Sequence, residues 1–247
     1  MDGRVEVRTA ADRFLTSTPS QRTWHSFSFG EHYDPANVGF GALAAHNEEL
    51  LAPGAGFDPH PHRDSEIVTW VLEGSLRHED TQGNRGVLGS GSVQLLSAGS
   101  GVTHSERNAA ADRPVRFVQM WLTPDRGGGA VAYEQRDLGT DLASGSLVAA
   151  VSGRPQDVGT VRIGVRDAVL HLARLSAGQR VRLPVAPYVH VFVARGAVDL
   201  EGVGRLAPSD AARLTAAGDR RLTAAAGPAE VLVWQLPAPP GHGDQRG

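Results

Sequence analysis

The 247 residues contain neither cysteine nor lysine. The first absence excludes disulfides, zinc–thiolate sites, iron–sulfur ligation and thiol nucleophiles. The second makes all 24 cations arginines and removes Schiff-base and P-loop chemistry, both of which need a lysine. No apolar run approaches the roughly 20 residues of a membrane span, and Met1 to Ser20 holds no apolar core of signal-peptide length. A cytoplasmic chain without membrane contact is therefore expected. The net charge of −3, with no basic run, argues against electrostatically driven nucleic-acid binding. No Gly-x-Ser-x-Gly elbow occurs, so serine hydrolysis has no support. What the chain does have is 30 glycines, 15 prolines and 40% apolar residues, the composition of a turn-rich β protein with enough apolar surface for a core.

Strand-like segments separated by turns dominate. Glu66 to Leu72 carries apolar side chains on both parities, Val68, Trp70 and Leu72 against Ile67 and Val71, which predicts a strand covered on both faces. Val115 to Leu122 reads as another strand. Asp80 to Asn84 and Gly89-Ser90-Gly91 read as turns, and Gly127-Gly128-Gly129 as a linker or loop tip. Short helices are expected only in places such as Pro208 to Leu214. A long repeat is present: Ala55-Gly56 recurs as Ala177-Gly178, Gly74 as Gly196, and Trp121-Leu122-Thr123-Pro124 resembles Trp234-Gln235-Leu236-Pro237. Two similar β-barrels in tandem are expected, over residues 1–130 and 131–236, followed by a disordered tail over 237–247.

His60-Pro61-His62 is the first strong chemical signal. Residues i and i+2 of an extended segment point the same way, so both imidazoles can face one point. Pro61 favours this by keeping His60 out of the helical region. His104-Ser105-Glu106 has the same spacing. On neighbouring strands the two pairs converge as three imidazoles and one carboxylate, a donor set suited to a divalent first-row metal. Glu66 is a competing carboxylate.

The spacing from Gly54 through His60, His62 and Glu66 to Gly74 resembles the first cupin motif with one extra residue. Gly101, His104 and Asn108 resemble the end of the second. The stretches HPHRDSEIVTWVLEGSLRHEDTQGNRG (His60 to Gly86) and SAGSGVTHSERN (Ser97 to Asn108) are similar to the narrower pirin family. So are HSFSFGEHYDP (His25 to Pro35), GFGAL (Gly39 to Leu43) and APGAGF (Ala52 to Phe57). This resemblance is specific over roughly residues 20–124 and implies an all-β fold of two cupin (jelly-roll-type) barrels. It implies one metal in the first barrel, held by His60, His62, His104 and Glu106, with Glu66 structural. The metal would be Fe(II) first, then Ni, Cu, Mn, Co or Zn. In the second barrel the repeat places Arg182, Pro184 and Tyr188 at the positions of His60, His62 and Glu66, so no metal is expected there. Ser65 and Arg107 depart from the family's apolar residues and make the cavity mouth more polar.

The resemblance also implies a quercetinase-type dioxygenase that cleaves a flavonol ring with release of carbon monoxide, Glu106 moving the substrate proton. The alternative is a regulatory protein whose metal state controls a metabolic enzyme or a transcription factor. A monomer is expected in either case. Among other residues, His25 and His32 are expected to hydrogen-bond structurally. His46 is expected either to line the cavity or to be exposed, and His78 to be a solvated strand end. Gln119 is expected to satisfy a buried polar partner in preference to reaching the cavity, and His171 and His190 to be structural.

Overall fold

A computed structural model describes residues 3–238; most of the tail expected from 237 onward lies outside them. Strands dominate, and the described helices are the single 3-10 turns Ala10–Asp12 and Asp141–Ser144. Among the described residues no helix is long and apolar enough to cross a membrane. Each half pairs a seven-stranded sheet with a four-stranded one. In the first half the large sheet runs in the order Ala132–Asp137, Ser92–Ser97, Glu66–Glu73, Val115–Leu122, Leu43–Leu51, Gln21–His25, Phe14–Thr18. The small sheet runs Gly56–His62, Val102–Asn108, Ser75–Asp80, Arg85–Gly89. This is the tandem-barrel cupin fold that the sequence implies.

The ends of the first half trade places. Arg4–Arg8 pairs with Ala211–Thr215 at the edge of the second large sheet, while Ala132–Asp137 pairs with Ser92–Ser97 in the first. Sheet membership therefore does not change at 130. Pro208 to Leu214, where a short helix is expected, is a turn followed by the strand Ala211–Thr215. Ser209 takes φ 68° in that turn. The Ala-Ala-Arg-Leu-Thr segment then lies between Arg4–Arg8 and Tyr188–Arg195, so ladder pairing on both sides overrides its helical preference.

Glu66–Glu73 is covered on both faces, as its sequence predicts. Val68, Trp70 and Leu72 join the largest apolar cluster, which spans the two barrels and includes Phe192, Leu232 and Trp234. Ile67 and Val71 point into the first barrel. Two indoles cross the interface, Trp70 Nε1 donating to Glu230 (2.7 Å) and Trp234 Nε1 to the Met120 sulfur (3.1 Å).

The repeat is real but shifted at one end. Gly178 takes φ 75° in a turn that matches Pro53-Gly54, where Gly54 has φ 68°, while Gly56 already begins a strand. Gly74 and Gly196 do correspond: both have positive φ, and a Cβ on either would collide with the carbonyl oxygen of Pro114 or Pro228. From these glycines onward, His78 and Leu200 occupy equivalent positions. Glu106 lies opposite His78, and Leu222 lies opposite Leu200. The second barrel thus puts leucines, both in its apolar core, where the first puts an imidazole and a carboxylate. The first barrel's own apolar clusters are small and leave room for polar chemistry and a cavity.

Candidate metal centre and its cavity

Gly56–His62 and Val102–Asn108 are antiparallel neighbours, with His104 opposite His60 and Val102 opposite His62. The register shifts between His104 and Glu106, so that Glu106 faces Phe57 and Asp58-Pro59 bulges. Proline suits a bulge because it has no N–H to leave unpaired. The bulge turns Phe57, His60 and His62 toward the same interior. His60, His62 and His104 come together with one nitrogen of each within 4.8 Å of the others. Their ring centroids are 4.5 to 5.0 Å apart.

Glu106 joins the group through His104. At the same spacing it clusters with His104 and His78, not with His60 and His62. Its carboxylate is held by two amides, accepting from Gln119 Nε2 at 2.6 Å and from Gln94 Nε2 at 3.1 Å. Each amide is oriented from behind. Trp121 Nε1 donates to Gln119 Oε1 and Tyr133 Oη to Gln94 Oε1, both at 3.1 Å. Gln119 therefore both satisfies a buried partner and lines the cavity. Glu66 sits elsewhere. It accepts from Ser97 Oγ at 2.7 Å and from the Gly164 N–H, tying the first barrel to the second.

His78 is no solvated strand end. It is fully buried, stacks on Tyr133 at 4.6 Å and lies Nδ1 to Nδ1 at 3.4 Å from His104, while its Nε2 meets Asp80 Oδ2 at 3.2 Å. One tautomer set satisfies the row: His104 Nδ1–H to His78 Nδ1, then His78 Nε2–H to Asp80. It leaves His104 Nε2 a lone pair aimed inward. The sequence carried the signal, since Leu76 and His78 alternate with exposed Arg77 and Glu79. The charged neighbours hid it.

Burial favours the neutral forms of His62 and His104, holding them near 4 and near 3. Burial pushes Glu106 up to about 7, against the pull of its two amides. The Nε2 atoms of His62 and His104 are buried without a hydrogen-bond partner among the described residues. His60 Nδ1 is at 2.7 Å from the Asp58 carbonyl oxygen, which leaves its Nε2 free. Converging lone pairs beside a carboxylate that no arginine among the described residues reaches fit a divalent cation.

A cavity of about 580 Å³ opens beside His60. Phe29, Phe57 and Trp121 form apolar walls, and Gln21, Thr23, Asn47 and Glu49 a polar one. His25 lines it while bonding Asn47 Oδ1 at 3.0 Å and Thr16 Oγ1 at 2.9 Å, and Thr16 also reaches His32 at 3.1 Å. Arg107 pairs with Asp58 on the exterior. His46 is neither in the cavity nor exposed. It lies fully buried between the barrels, its ring 5.0 Å from His190. His171 is within 3.5 Å of Gln235.

Comparison with known proteins gives this site a setting. The sequence matches the Pirin family over residues 6–122. A Mycobacterium tuberculosis protein named "Putative quercetin 2,3-dioxygenase" is 49% identical over 238 residues, covering 96% of this chain and 97% of its own. The Escherichia coli protein named quercetin 2,3-dioxygenase is 34% identical over 201 residues, 81% of this chain and 85% of its own. Among solved structures, the bacterial pirin YhhW of Escherichia coli in complex with nickel(II) superposes with a TM-score of 0.86 at 30% identity, covering 95% of this chain and 100% of that one. Relatives aligned along nearly their whole lengths, on the same two-barrel fold, make this chain a member of the pirin family.

Proposed function

We propose that the chain is a metal-dependent dioxygenase of the quercetinase type, acting on a flavonol-like planar aromatic in the first barrel. The observation that carries the reading is the convergence of three imidazoles, two with buried Nε2 atoms that have no partner among the described residues, at the end of an apolar-walled cavity. The names of the Mycobacterium and Escherichia coli relatives and the nickel(II) in YhhW support it. His60, His62, His104 and Glu106 would hold one divalent ion, whose bound form supplies open positions for substrate oxygen and dioxygen and lowers the pKa of a bound hydroxyl.

The protein's own residues do the rest. Phe29, Phe57 and Trp121 shield a planar ring from water, which leaves the reacting oxygens facing His60. Glu106 accepts the proton of the flavonol 3-hydroxyl at its carboxylate. Gln94 and Gln119 keep that carboxylate aimed inward whether or not it carries the proton. His78 and Asp80 hold the His104 ring in one tautomer. The overall change inserts both atoms of dioxygen into the opened ring product and expels one ring carbon as carbon monoxide.

The test is quercetin consumption with carbon monoxide release, in air and anaerobically, on protein loaded with each metal in turn. Oxygen-dependent carbon monoxide is expected with Fe(II), Ni(II) or Cu(II), and far slower turnover with closed-shell Zn(II). Its absence with every metal, from fully loaded protein, overturns the enzyme reading and leaves a protein whose metal state serves binding. Glu66→Gln is expected to keep the wild-type metal content, because its bonds go to Ser97 and Gly164. The cost to stability should be about 1 kcal/mol, measurable by denaturant unfolding beside elemental analysis. Metal loss in that variant would return Glu66 to the ligand set.

A further inference from the structure

Glu48 and Glu49 are adjacent on Leu43–Leu51 and so point to opposite faces of the sheet. Glu48 faces the second barrel and is paired three ways, with Arg13 Nη1 (2.7 Å), Arg116 Nε (2.7 Å) and Ser209 Oγ (2.8 Å). Glu49 faces the cavity and has no cation bonded to it among the described residues. Its one hydrogen bond there comes from Thr23 Oγ1 to Oε2 at 2.5 Å, and Thr23 in turn accepts from Gln21 Nε2 at 3.0 Å. Among the same described residues Oε1 has no partner, although the residue is 3% exposed.

This is a chain of donors that ends on a carboxyl in the cavity wall, across from Phe29, Phe57 and Trp121. A carboxylate desolvated without a cation favours its neutral form, and burial accordingly pushes Glu49 up to about 8. With Oε2 already accepting from Thr23, a neutral carboxyl presents its O–H from Oε1 to whatever occupies the cavity.

Resting on the flavonol reading above, we propose that Glu49 determines specificity: its carboxyl donates a hydrogen bond to a ring oxygen of the substrate, selecting polyhydroxylated flavonols over those with bare rings. The physical basis is asymmetric. A hydroxyl that pairs with Glu49 gains a bond in a dry cavity, whereas an unsubstituted ring buries the carboxyl without a partner. On the same wall His25 Nδ1 is committed to Asn47 Oδ1 at 3.0 Å.

The test is anaerobic titration calorimetry of metal-loaded protein with two probes, quercetin and 3-hydroxyflavone. Both carry the 3-hydroxyl and 4-carbonyl, and only quercetin carries further ring hydroxyls. Wild type is expected to bind quercetin tighter by about tenfold or more. Glu49→Leu should shrink that preference to within about threefold with metal content unchanged, and Glu49→Gln, which keeps a donor in the same place, should retain most of it. No preference in wild type, its survival in Glu49→Leu, or equal loss in Glu49→Gln each overturns the assignment. If Glu49→Leu does not fold, Thr23→Val, which frees the carboxyl from its anchor, should reduce the preference at least about threefold, and an unchanged preference overturns the assignment. A probe preference without carbon monoxide release defeats the dioxygenase reading and leaves Glu49 in place; carbon monoxide release without the preference does the reverse.

Discussion

His104→Ala is expected to lose at least nine-tenths of its metal, by elemental analysis of protein purified without added ion, and flavonol turnover in proportion. His104 belongs to both donor groups, one with His60 and His62 and one with His78 and Glu106. Its removal takes one ligand away and leaves a buried carboxylate without countercharge, an uncompensated charge costing several kcal/mol. The His78 position gives a graded control. His78→Phe keeps a ring against Tyr133 but deletes the bond to His104 Nδ1, and should weaken metal binding by about 10–100-fold without abolishing it. Full metal occupancy in His104→Ala would sink the centre as drawn; an unchanged affinity in His78→Phe would remove only the support from His78 and Asp80.

The second large effect concerns pH and lies far from the cavity. His46 and His190 are fully buried between the barrels, beside Arg13 and Arg213. His46 Nε2 and both His190 nitrogens lack partners among the described residues. Burial first, then the neighbouring charges, holds His46 near 3 and His190 well below 6.5. The folded form is therefore neutral where the unfolded chain is protonated. Their contribution is complete above about pH 6.5 and is lost as pH falls toward the folded value, by about 2 kcal/mol for His46 between pH 6.5 and 5, with His190 acting in the same direction. Glu49 and Glu106 work in the opposite direction. Their folded pKa values are raised, so the fold binds more protons than the unfolded chain between about 4.5 and 7–8 and gains stability on acidification. The wild-type profile over pH 5–7 is thus partly self-cancelling, and the histidine contribution is read from a difference. His190→Leu has apolar neighbours in Phe27 and Phe40. It should be near wild-type stability at pH 7.5 and gain steadily on wild type as pH falls to 5, read as a rise in Tm relative to wild type. A constant difference across that range would show that His190 does not titrate between the two states.

These residues also mark how far the sequence could be read. Both i, i+2 pairs were legible because a strand has a fixed two-residue period, and His60-Pro61-His62 and His104-Ser105-Glu106 each lie in one extended segment. Choosing Glu106 over Glu66 needed the family resemblance, since spacing alone leaves two carboxylates in play. The structure puts Glu106 beside His104, while Glu66 bonds across to the second barrel. His78 was missed because three charged neighbours made a half-buried strand look solvated. His46 was undecidable because its partner is His190, and which faces of two barrels meet is not encoded locally. The repeat was visible through glycines, yet Gly56 and Gly178 were mismatched: a glycine letter does not say whether it fills a turn at positive φ or merely begins a strand.

The exchanged first strand has a consequence for how the protein is made. Arg4–Arg8 completes the second large sheet, and just after it the Ala10 N–H is held by Asp210, 200 residues further on. During synthesis the amino terminus leaves the ribosome first but cannot find its place until the Ala211–Thr215 strand follows. Residues 14–137 can close their own sheets meanwhile, since their strands pair among themselves. The first barrel can thus mature on the nascent chain while the short Arg4–Arg8 strand waits for its partner. Long-range pairing of this kind is slow to form and leaves an open sheet edge in the interim. A chain lacking Arg4–Arg8 would reach the end of translation with that edge permanently bare, and aggregation of the second barrel, with the metal centre still intact, is the fate expected of it.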